Sequence, residues 1–177
     1  MTRLFKQFIF VVILLPISLA SLAQIKVGSK APNFTLPSTS NDKYSLKDSI
    51  GKYVVLYFYP KDGTPGCTTE SIEFNDSLAK IKRMGWNIVG VSRDTIKKHM
   101  KFIEKYSFKF PLISDEDEKF CNMFNVIKEK SLYGRKYMGI DRSTFLISKD
   151  MKILYAWRNV KVNGHVEEVI NKIKELK

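Results

Sequence analysis

The most regular hydrophobic feature of the chain is an unbroken run of apolar and aromatic residues at positions 54–59. Such a run is typical of a β-strand that is buried on both faces of a sheet. Pro60 and Gly63 end it, because proline donates no ladder hydrogen bond and glycine adopts backbone angles that other residues avoid. From Thr68 onward, apolar residues recur at helical spacing, which predicts a helix. Its expected buried face carries Phe74, Leu78 and Ile81.

Strands and helices then alternate. Apolar runs predict strands at residues 86–92 and 110–114, and Asp94 or Thr95 is expected to cap a helix that ends near Tyr106. The expected buried side of this helix carries Ile96, Met100 and Ile103. The acidic run at 115–118 suits the start of another helix, as a capping and solvated feature; a calcium loop is the weaker alternative, because the run lacks the required glycine and distal glutamate. Alternation of this kind predicts parallel βαβ units.

The end of the chain predicts antiparallel structure. Apolar runs at 143–147 and 152–157 are joined by the tight turn Ser-Lys-Asp-Met, which is typical of a hairpin. A last helix from about Gly164 to Leu176 would bury one face, which carries Val166, Val169, Ile170 and Ile173. The sequence thus predicts an α/β fold with a mixed central sheet flanked by helices.

Two further segments precede the central strand. The extended stretch 28–36 and residues 43–46 predict a short N-terminal extension hairpin across the loop 38–42, followed by one helical turn that Gly51 ends. The first 23 residues carry a positive head, with Arg3 and Lys6, then an apolar run at 8–20 and small residues before a cut after Ala23. They predict a secretory signal peptide; an uncleaved anchor is the alternative, although the run is shorter than the roughly 20 residues that span a bilayer. Residues 24–177 then form one domain.

The net charge and the numbers of cysteines and histidines limit the classes of protein to which the chain can belong. The chain has a net charge of +12, but its lysines are dispersed and form no nucleic-acid motif, so a generally basic surface is the expected meaning. The two cysteines, Cys67 and Cys121, exclude a disulfide-rich scaffold. His99 and His165 do not show zinc-ligand spacing, and both are predicted to be surface helix residues. We expect no metal, no cofactor and no nucleic-acid partner.

The candidate chemistry lies where the central strand gives way to the helix. Cys67 falls in the first helical turn, where free N–H groups and the positive end of the helix dipole favour a thiolate. Pro60, Thr64 and Cys67 stand in the order Pro-x-x-x-Thr-x-x-Cys, which resembles the active-site signature of the peroxiredoxins, thiol peroxidases with a thioredoxin-like fold. Thr-Pro-Gly-Cys-Thr is most similar to the bacterioferritin-comigratory (Q-type) branch, and the stretch 28–36 resembles the start of these proteins.

Peroxide reduction needs a thiolate nucleophile and fixed donors for the leaving oxygen. The backbone N–H groups of Gly66 and Cys67 are candidate donors, the Thr64 hydroxyl can approach the sulfur and a bound peroxide, and Pro60 provides an apolar wall. The resemblance implies that Arg142, which precedes the strand at 143–147, completes the site. Arg135 and Arg158 are weaker candidates. Glu70 either orients the arginine or only complements the helix dipole.

The resemblance also implies that a sulfenic acid forms at Cys67 and must be reduced by another thiol. Q-type relatives often carry a resolving cysteine five residues after the nucleophile, where this chain has Ile72. Cys121 is a possible resolving residue or, as we expect, an inert buried cysteine. The predicted reductant is therefore thioredoxin or another external thiol.

The leader predicts export to the periplasm or the outside, and the resemblance implies an enzyme that reduces hydrogen peroxide and organic hydroperoxides. By analogy with Q-type proteins, we expect a monomer or weak dimer without stable membrane association after signal cleavage. A thiol:disulfide oxidoreductase of the same fold is disfavoured because Thr64 occupies the first position of Cys-x-x-Cys. A copper-delivery protein would need a second nearby cysteine and a distal histidine. A non-catalytic binding module remains the other alternative.

Overall fold

The computed structural model describes residues 25–132 and 134–176, so the predicted leader and its cut after Ala23 lie outside the described residues. One 3-10 helix spans Leu46–Ser49. The α-helices are α1 (Pro65–Arg83), α2 (Ile96–Tyr106), α3 (Lys119–Met123) and α4 (His165–Glu175). The strands are β1 (Thr35–Pro37), β2 (Lys43–Ser45), β3 (Tyr53–Phe58), β4 (Trp86–Ser92), β5 (Leu112–Ser114), β6 (Ile127–Leu132), β7 (Arg135–Ile140), β8 (Ser143–Ile147) and β9 (Ile153–Trp157).

The central sheet has five strands in the order β5-β4-β3-β8-β9. β3 pairs with β4 in parallel, and β4 pairs with β5 in parallel. β8 is antiparallel to both β3 and β9. The predicted mixed sheet is therefore confirmed, with the apolar run of β3 at its centre, where both strand edges and both faces are covered. β1 and β2 form the predicted N-terminal hairpin.

The two faces of the sheet carry separate hydrophobic clusters. Alternate residues of β3 point to opposite sides, so that Leu56 and Phe58 join one cluster while Val55 and Tyr57 join the other. The first cluster includes α3 and residues from the N-terminal segment, and we call this side the α3 face. The second includes residues from α1, α2 and α4, and we call it the α1 face. All predicted core residues of α1 and α4 are buried.

The predicted buried side of α2 is wrong at Met100, although Ile103 packs against the cluster on the α1 face and Ile96 is partly buried. Met100 is 49% exposed, whereas His99 and Phe102 are buried. The prediction followed apolar character and so excluded a histidine from the core. Burial of His99 is possible because both of its ring nitrogens have hydrogen-bond partners.

Two features between β5 and β8 also differ from the sequence expectation. The hairpin of β6 and β7 was not predicted, because most of β7 is exposed and its residues show no apolar alternation. In the acidic run, Glu116 and Asp117 are exposed as expected, but Asp115 is buried. Asp115 accepts hydrogen bonds from the backbone N–H groups of Phe120 and Cys121, which explains how α3 is capped.

Across the described ranges 25–132 and 134–176, helices are too short or too polar to cross a membrane.

Candidate active site

The strand-to-helix turn places Cys67 in the first turn of α1. Thr64 is the residue before the helix and has an extended backbone, and Pro65 occupies the first helical position, where its fixed φ suits a helix start. Cys67 is the third helical residue and is 1% exposed. Its sulfur is thus buried at the positive end of a 19-residue helix.

Strand register brings Arg142 to the same end of the sheet. Phe58, the last residue of β3, is paired with Ser143, the first residue of β8, so the residues that follow β3 and precede β8 are neighbours. Arg142 Nη2 donates a hydrogen bond to Cys67 Sγ at 3.3 Å. A β-carbon added to Gly66 would lie 3.5 Å from Arg142 Nη2, so this glycine lies directly beside the guanidinium group.

Glu70 holds the other side of the guanidinium group. Its carboxylate is fully buried and accepts a hydrogen bond from Arg142 Nη1, while its Oε1 atom has no partner within the described residues. Burial raises the pKa of Glu70 to about 7, in spite of the opposing effect of the Arg142 charge. Burial alone would lower the pKa of Arg142, but the charges of Glu70 and Cys67 produce a net increase. Arg142 therefore remains a cation between a carboxylate and a sulfur.

Further polar groups lie in the turn and the first helical turn that carry Cys67. The Thr64 side chain, at the N-cap of α1, makes no capping hydrogen bond to the first-turn N–H groups, which include those of Gly66 and Cys67. The Thr64 hydroxyl donates to the carbonyl of Lys61 at 3.1 Å, which leaves its lone pairs able to accept a peroxide O–H. Pro60 is half-buried in the same turn. The segment that carries the sulfur thus also carries two first-turn amides and a hydroxyl, while the Arg142 cation lies against the sulfur itself.

The remaining arginine candidates lie elsewhere. The guanidinium of Arg158 donates to the carbonyls of Phe124 and Asn125, and it lies over the ring of Phe145. Arg135 is exposed at the start of β7. Of the three candidate arginines, the structure therefore places Arg142 against the sulfur.

Cys121 lies in a different environment. It belongs to the cluster on the α3 face, whereas Cys67 belongs to the cluster on the α1 face, so the central sheet separates the two sulfurs. Both are free thiols. Burial, reinforced by the Asp115 carboxylate, raises the pKa of Cys121. At the position of the resolving cysteine in Q-type relatives, Ile72 is half-buried on the α1 face.

The prediction that both histidines lie on the surface is wrong. His99 is 0% and His165 2% exposed. His165 Nε2 lies 2.8 Å from the hydroxyl of Thr144, two residues beyond Arg142. Burial, with a smaller contribution from the Arg142 charge, lowers the pKa of His165 to about 4. The helical period could have indicated both positions, because His99 lies three residues before Phe102 and His165 four residues before Val169.

Asp62 was also absent from the sequence predictions. It lies in the turn between β3 and α1, and its side chain is 8% exposed. Its two carboxylate oxygens contact Tyr59 and His99. Because His99 is 37 residues away in the chain, the sequence alone does not show that the two residues are in contact. Among the described residues, no cluster of three or more histidine, cysteine or acidic side chains is arranged to hold a metal ion.

Comparison with known proteins gives a consistent family assignment. The AhpC/TSA family model matches residues 27–156. The chain is 46% identical over 149 residues to a "Putative peroxiredoxin bcp" of Coxiella burnetii. The aligned residues cover 84% of this chain and 99% of that protein. It is 45% identical over 152 residues to "Peroxiredoxin Bcp" of Bacillus subtilis, with 86% and 97% coverage.

Solved structures agree. A cysteine-to-serine mutant of Xylella fastidiosa PrxQ superimposes with a TM-score of 0.81 at 44% identity, over 86% of this chain and 98% of that one. A Xanthomonas campestris bacterioferritin comigratory protein, whose structures concern alkyl peroxide reduction, superimposes with a TM-score of 0.78 at 43% identity, over 85% and 96%. The predicted thioredoxin-like fold of the peroxiredoxins is thereby confirmed. The chain belongs to the AhpC/TSA family, and within it to the peroxiredoxins similar to Bcp and PrxQ, which are thiol-dependent peroxidases.

Proposed function

We propose that this peroxiredoxin reduces hydrogen peroxide and organic hydroperoxides at Cys67, through a cycle in which an external thiol resolves the oxidised cysteine. The observation that carries the proposal is the 3.3 Å hydrogen bond from Arg142 to the Cys67 sulfur at the start of α1. A cation and the helix dipole both favour the thiolate, which is the nucleophilic form. Similarity to the Xanthomonas campestris protein supports organic hydroperoxides as substrates.

The first step is attack of the thiolate on one oxygen of the peroxide. A sulfur–oxygen bond forms and the oxygen–oxygen bond breaks, so Cys67 becomes a sulfenic acid and the other oxygen leaves as an alcohol or water after it gains a proton. Negative charge on that leaving oxygen is stabilised by Arg142 and by the N–H groups of Gly66 and Cys67. The Thr64 hydroxyl accepts the peroxide O–H and orients the substrate.

The second step returns Cys67 to the thiol. An external thiol attacks the sulfenic sulfur, releases water and leaves a mixed disulfide, and a second thiol then releases reduced Cys67 and an oxidised disulfide. Two observations support an external source: Ile72 stands five residues after Cys67, where Q-type relatives often carry a resolving cysteine, and Cys121 lies on the opposite face of the sheet. A thioredoxin-like protein, which presents two thiols, fits this step.

The test is intact-mass analysis after one equivalent of hydrogen peroxide, with a sulfenic-acid trap present. We compare the wild type with Cys67→Ser and the matched control Cys121→Ser. The proposal predicts one trapped adduct in the wild type and in Cys121→Ser, and none in Cys67→Ser. Loss of two hydrogens in the wild type, with trapping only after Cys121 is removed, would instead demonstrate an internal disulfide. Absence of oxidation at Cys67 would reject the peroxidase site.

We also propose export of the mature chain to the periplasm or outside, as a monomer or weak dimer. The positive head, the apolar run 8–20 and the small residues before Gln24 support a cleaved leader, and the family model begins only at residue 27. The test is expression of the full chain in a bacterial host with separation of cytoplasmic and periplasmic fractions. A periplasmic product with the intact mass of residues 24–177 supports the proposal, whereas a cytoplasmic product with the mass of the full chain rejects it. Gel filtration of the mature form tests the oligomeric state.

A further inference from the structure

The turn between β3 and α1 is tied to the protein interior through Asp62. Its Oδ1 atom accepts a hydrogen bond from the Tyr59 hydroxyl at 2.8 Å, and its Oδ2 atom lies 2.7 Å from Nδ1 of His99. The backbone N–H of Asp62 donates to Oδ2 of Asp94 at 2.8 Å. Asp62 is thus held by the residue that follows β3, by α2 and by the segment that precedes α2.

The partners of His99 determine where its protons lie. Nε2 lies 3.2 Å from the backbone carbonyl of Ile113, and a carbonyl can only accept, so Nε2 carries a proton. Nδ1 faces Asp62, which already accepts from Tyr59, as expected of an ionised carboxylate. Each ring nitrogen thus faces an oxygen atom that can accept, which is the hydrogen-bond geometry of an imidazolium ion beside a carboxylate.

Both members of the pair are shielded from solvent, whereas four exposed lysines lie around the same pocket: Lys61, Lys98, Lys101 and Lys105. His99 is completely buried and the Asp62 side chain is 8% exposed. Asp94 is buried and is itself paired with Lys98 at 3.1 Å, and the Tyr59 hydroxyl lies 3.4 Å from His99 Nδ1. A buried ion is costly unless it is paired and hydrogen-bonded. The carboxylate and the imidazolium therefore stabilise each other only while the turn stays against α2.

The position of the turn matters because it leads directly into the reactive helix start. Asp62 is followed by Gly63, which has a φ of +72°, and then by Thr64, whose hydroxyl contacts Lys61 in the same turn. Cys67 lies three residues further on. A shift of the turn would therefore move the Thr64 hydroxyl and the first N–H groups of α1 relative to the sulfur.

We propose that the buried Asp62–His99 ion pair is a positioning pair, which fixes the turn so that Thr64 and the start of α1 are aligned for peroxide at Cys67. The pair acts through the turn and takes no part in the bond changes. The inference rests on the Cys67 chemistry proposed above. It assigns a role to two side chains that lie outside the Pro60, Thr64, Cys67 and Arg142 set.

The protonation state is tested directly on the wild-type protein. The chain has two histidines, so a 15N–1H correlation spectrum of the imidazole rings contains two ring systems, and His99→Gln assigns them. At pH 7 we expect both nitrogens of His99 to be protonated, whereas His165, whose pKa is lowered to about 4, carries one ring proton. A single ring proton on His99 would overturn the ion-pair assignment, and if His99→Gln does not fold, His165→Gln assigns the two rings instead.

The positioning role is tested by kinetics on folded variants. For Asp62→Asn and His99→Gln, we expect the second-order rate of Cys67 oxidation by hydrogen peroxide to fall at least about tenfold. The rate of Cys67 alkylation by iodoacetamide, which needs no peroxide alignment, should change less than about twofold. The double variant should lose no more than either single variant, because the two residues act as one unit.

Asp117→Asn is the matched control, since Asp117 is an exposed aspartate that pairs with exposed Lys119 away from the turn. It should leave both rates unchanged. Equal losses in oxidation and alkylation, or additive losses in the double variant, would show a general effect on folding and reject the positioning role. If the wild type itself does not react with peroxide, the proposed function fails, and the spectrum still decides the state of the ion pair.

Discussion

The two cysteines of this chain are almost equally buried, with Cys67 1% and Cys121 0% exposed, yet their surroundings are opposite in charge. Cys67 receives a hydrogen bond from the Arg142 guanidinium at the positive end of α1. Cys121 lies near the Asp115 carboxylate on the other face of the sheet, and its pKa is raised by burial and by that carboxylate. Solvent exposure therefore does not distinguish the two cysteines, but the sign of the nearest charge does, and we expect that charge to decide which sulfur reacts.

The largest expected difference between the two regions is in chemical labelling. With iodoacetamide under native conditions, we expect Cys67 to be alkylated at least about a thousandfold faster than Cys121. Cys67 becomes accessible when the first turn of α1 opens locally, whereas Cys121 requires opening of the core, which approaches global unfolding. Mass analysis of tryptic peptides over time measures both rates. Equal alkylation rates at the two cysteines would show that they share one opening event, and would contradict the expectation that their different surroundings make them differ in reactivity.

The second test removes the cation beside the sulfur. Arg142→Met keeps an unbranched side chain without charge, and we expect the rate of Cys67 oxidation by peroxide to fall about a hundredfold, or roughly 3 kcal/mol in the barrier. Arg142→Lys should recover only part of this rate, because an ammonium group cannot hold Glu70 and the sulfur in one planar fork. Stopped-flow measurement of peroxide consumption gives the rates.

Arg158→Met is the control for this change, since Arg158 donates to backbone carbonyls and not to Cys67. It should lower the oxidation rate less than about twofold while it removes a comparable side-chain charge. A similar fall in both variants would mean that net positive charge, and not the contact with sulfur, accelerates the reaction.

Sequence patterns predicted the strands and helices well where apolar residues decide the structure, as in β3, β4, β8 and α4. They failed where polar groups are buried with partners distant in the chain. His99 was placed on the surface because it is polar: the helical period is compatible with its burial, but its partner Asp62, 37 residues away, cannot be identified from the sequence. The β6–β7 hairpin was missed because its pairing is a backbone property that its polar side chains do not reveal.

The candidate site shows the same limit. Cys67 and its place at a helix start followed from the strand, the turn residues and the helical pattern. The prediction of Arg142 came from family resemblance. Only the register of β3 with β8 shows why Arg142 lies near Cys67. The separation of Cys67 from Cys121 likewise depends on which face of the sheet each helix covers, and no spacing in the sequence specifies that.

A third, smaller effect concerns the carboxylate that holds Arg142. The pKa of Glu70 is raised to about 7 from an ordinary value of 4.5, so between these values the folded protein keeps a proton that the unfolded chain releases. The wild type therefore loses stability as pH rises through this window, by on the order of 1 to 3 kcal/mol, and no further above it. Glu70→Gln cannot titrate, so its stability relative to the wild type should increase from pH 4.5 to pH 8.

Urea unfolding of both proteins at several pH values measures this difference. Glu104→Gln, at an exposed position on α2, is the control and should show a difference from the wild type that does not change with pH. A flat difference for Glu70→Gln as well would mean that the Glu70 carboxylate is ionised at no net cost beside Arg142.

The smallest expected effect is on the inert side of the comparison. Cys121→Ala removes one sulfur atom from the cluster on the α3 face, where Cys121 is fully buried, and we expect a loss of about 1 kcal/mol in the free energy of unfolding. The rate of Cys67 oxidation should stay within about twofold of the wild type, because the sheet separates the two sites. Urea unfolding and stopped-flow kinetics on the same preparation measure both quantities. A large fall in peroxide reduction without a matching loss of stability would give Cys121 a part in the cycle, and the sheet would then have to open during turnover.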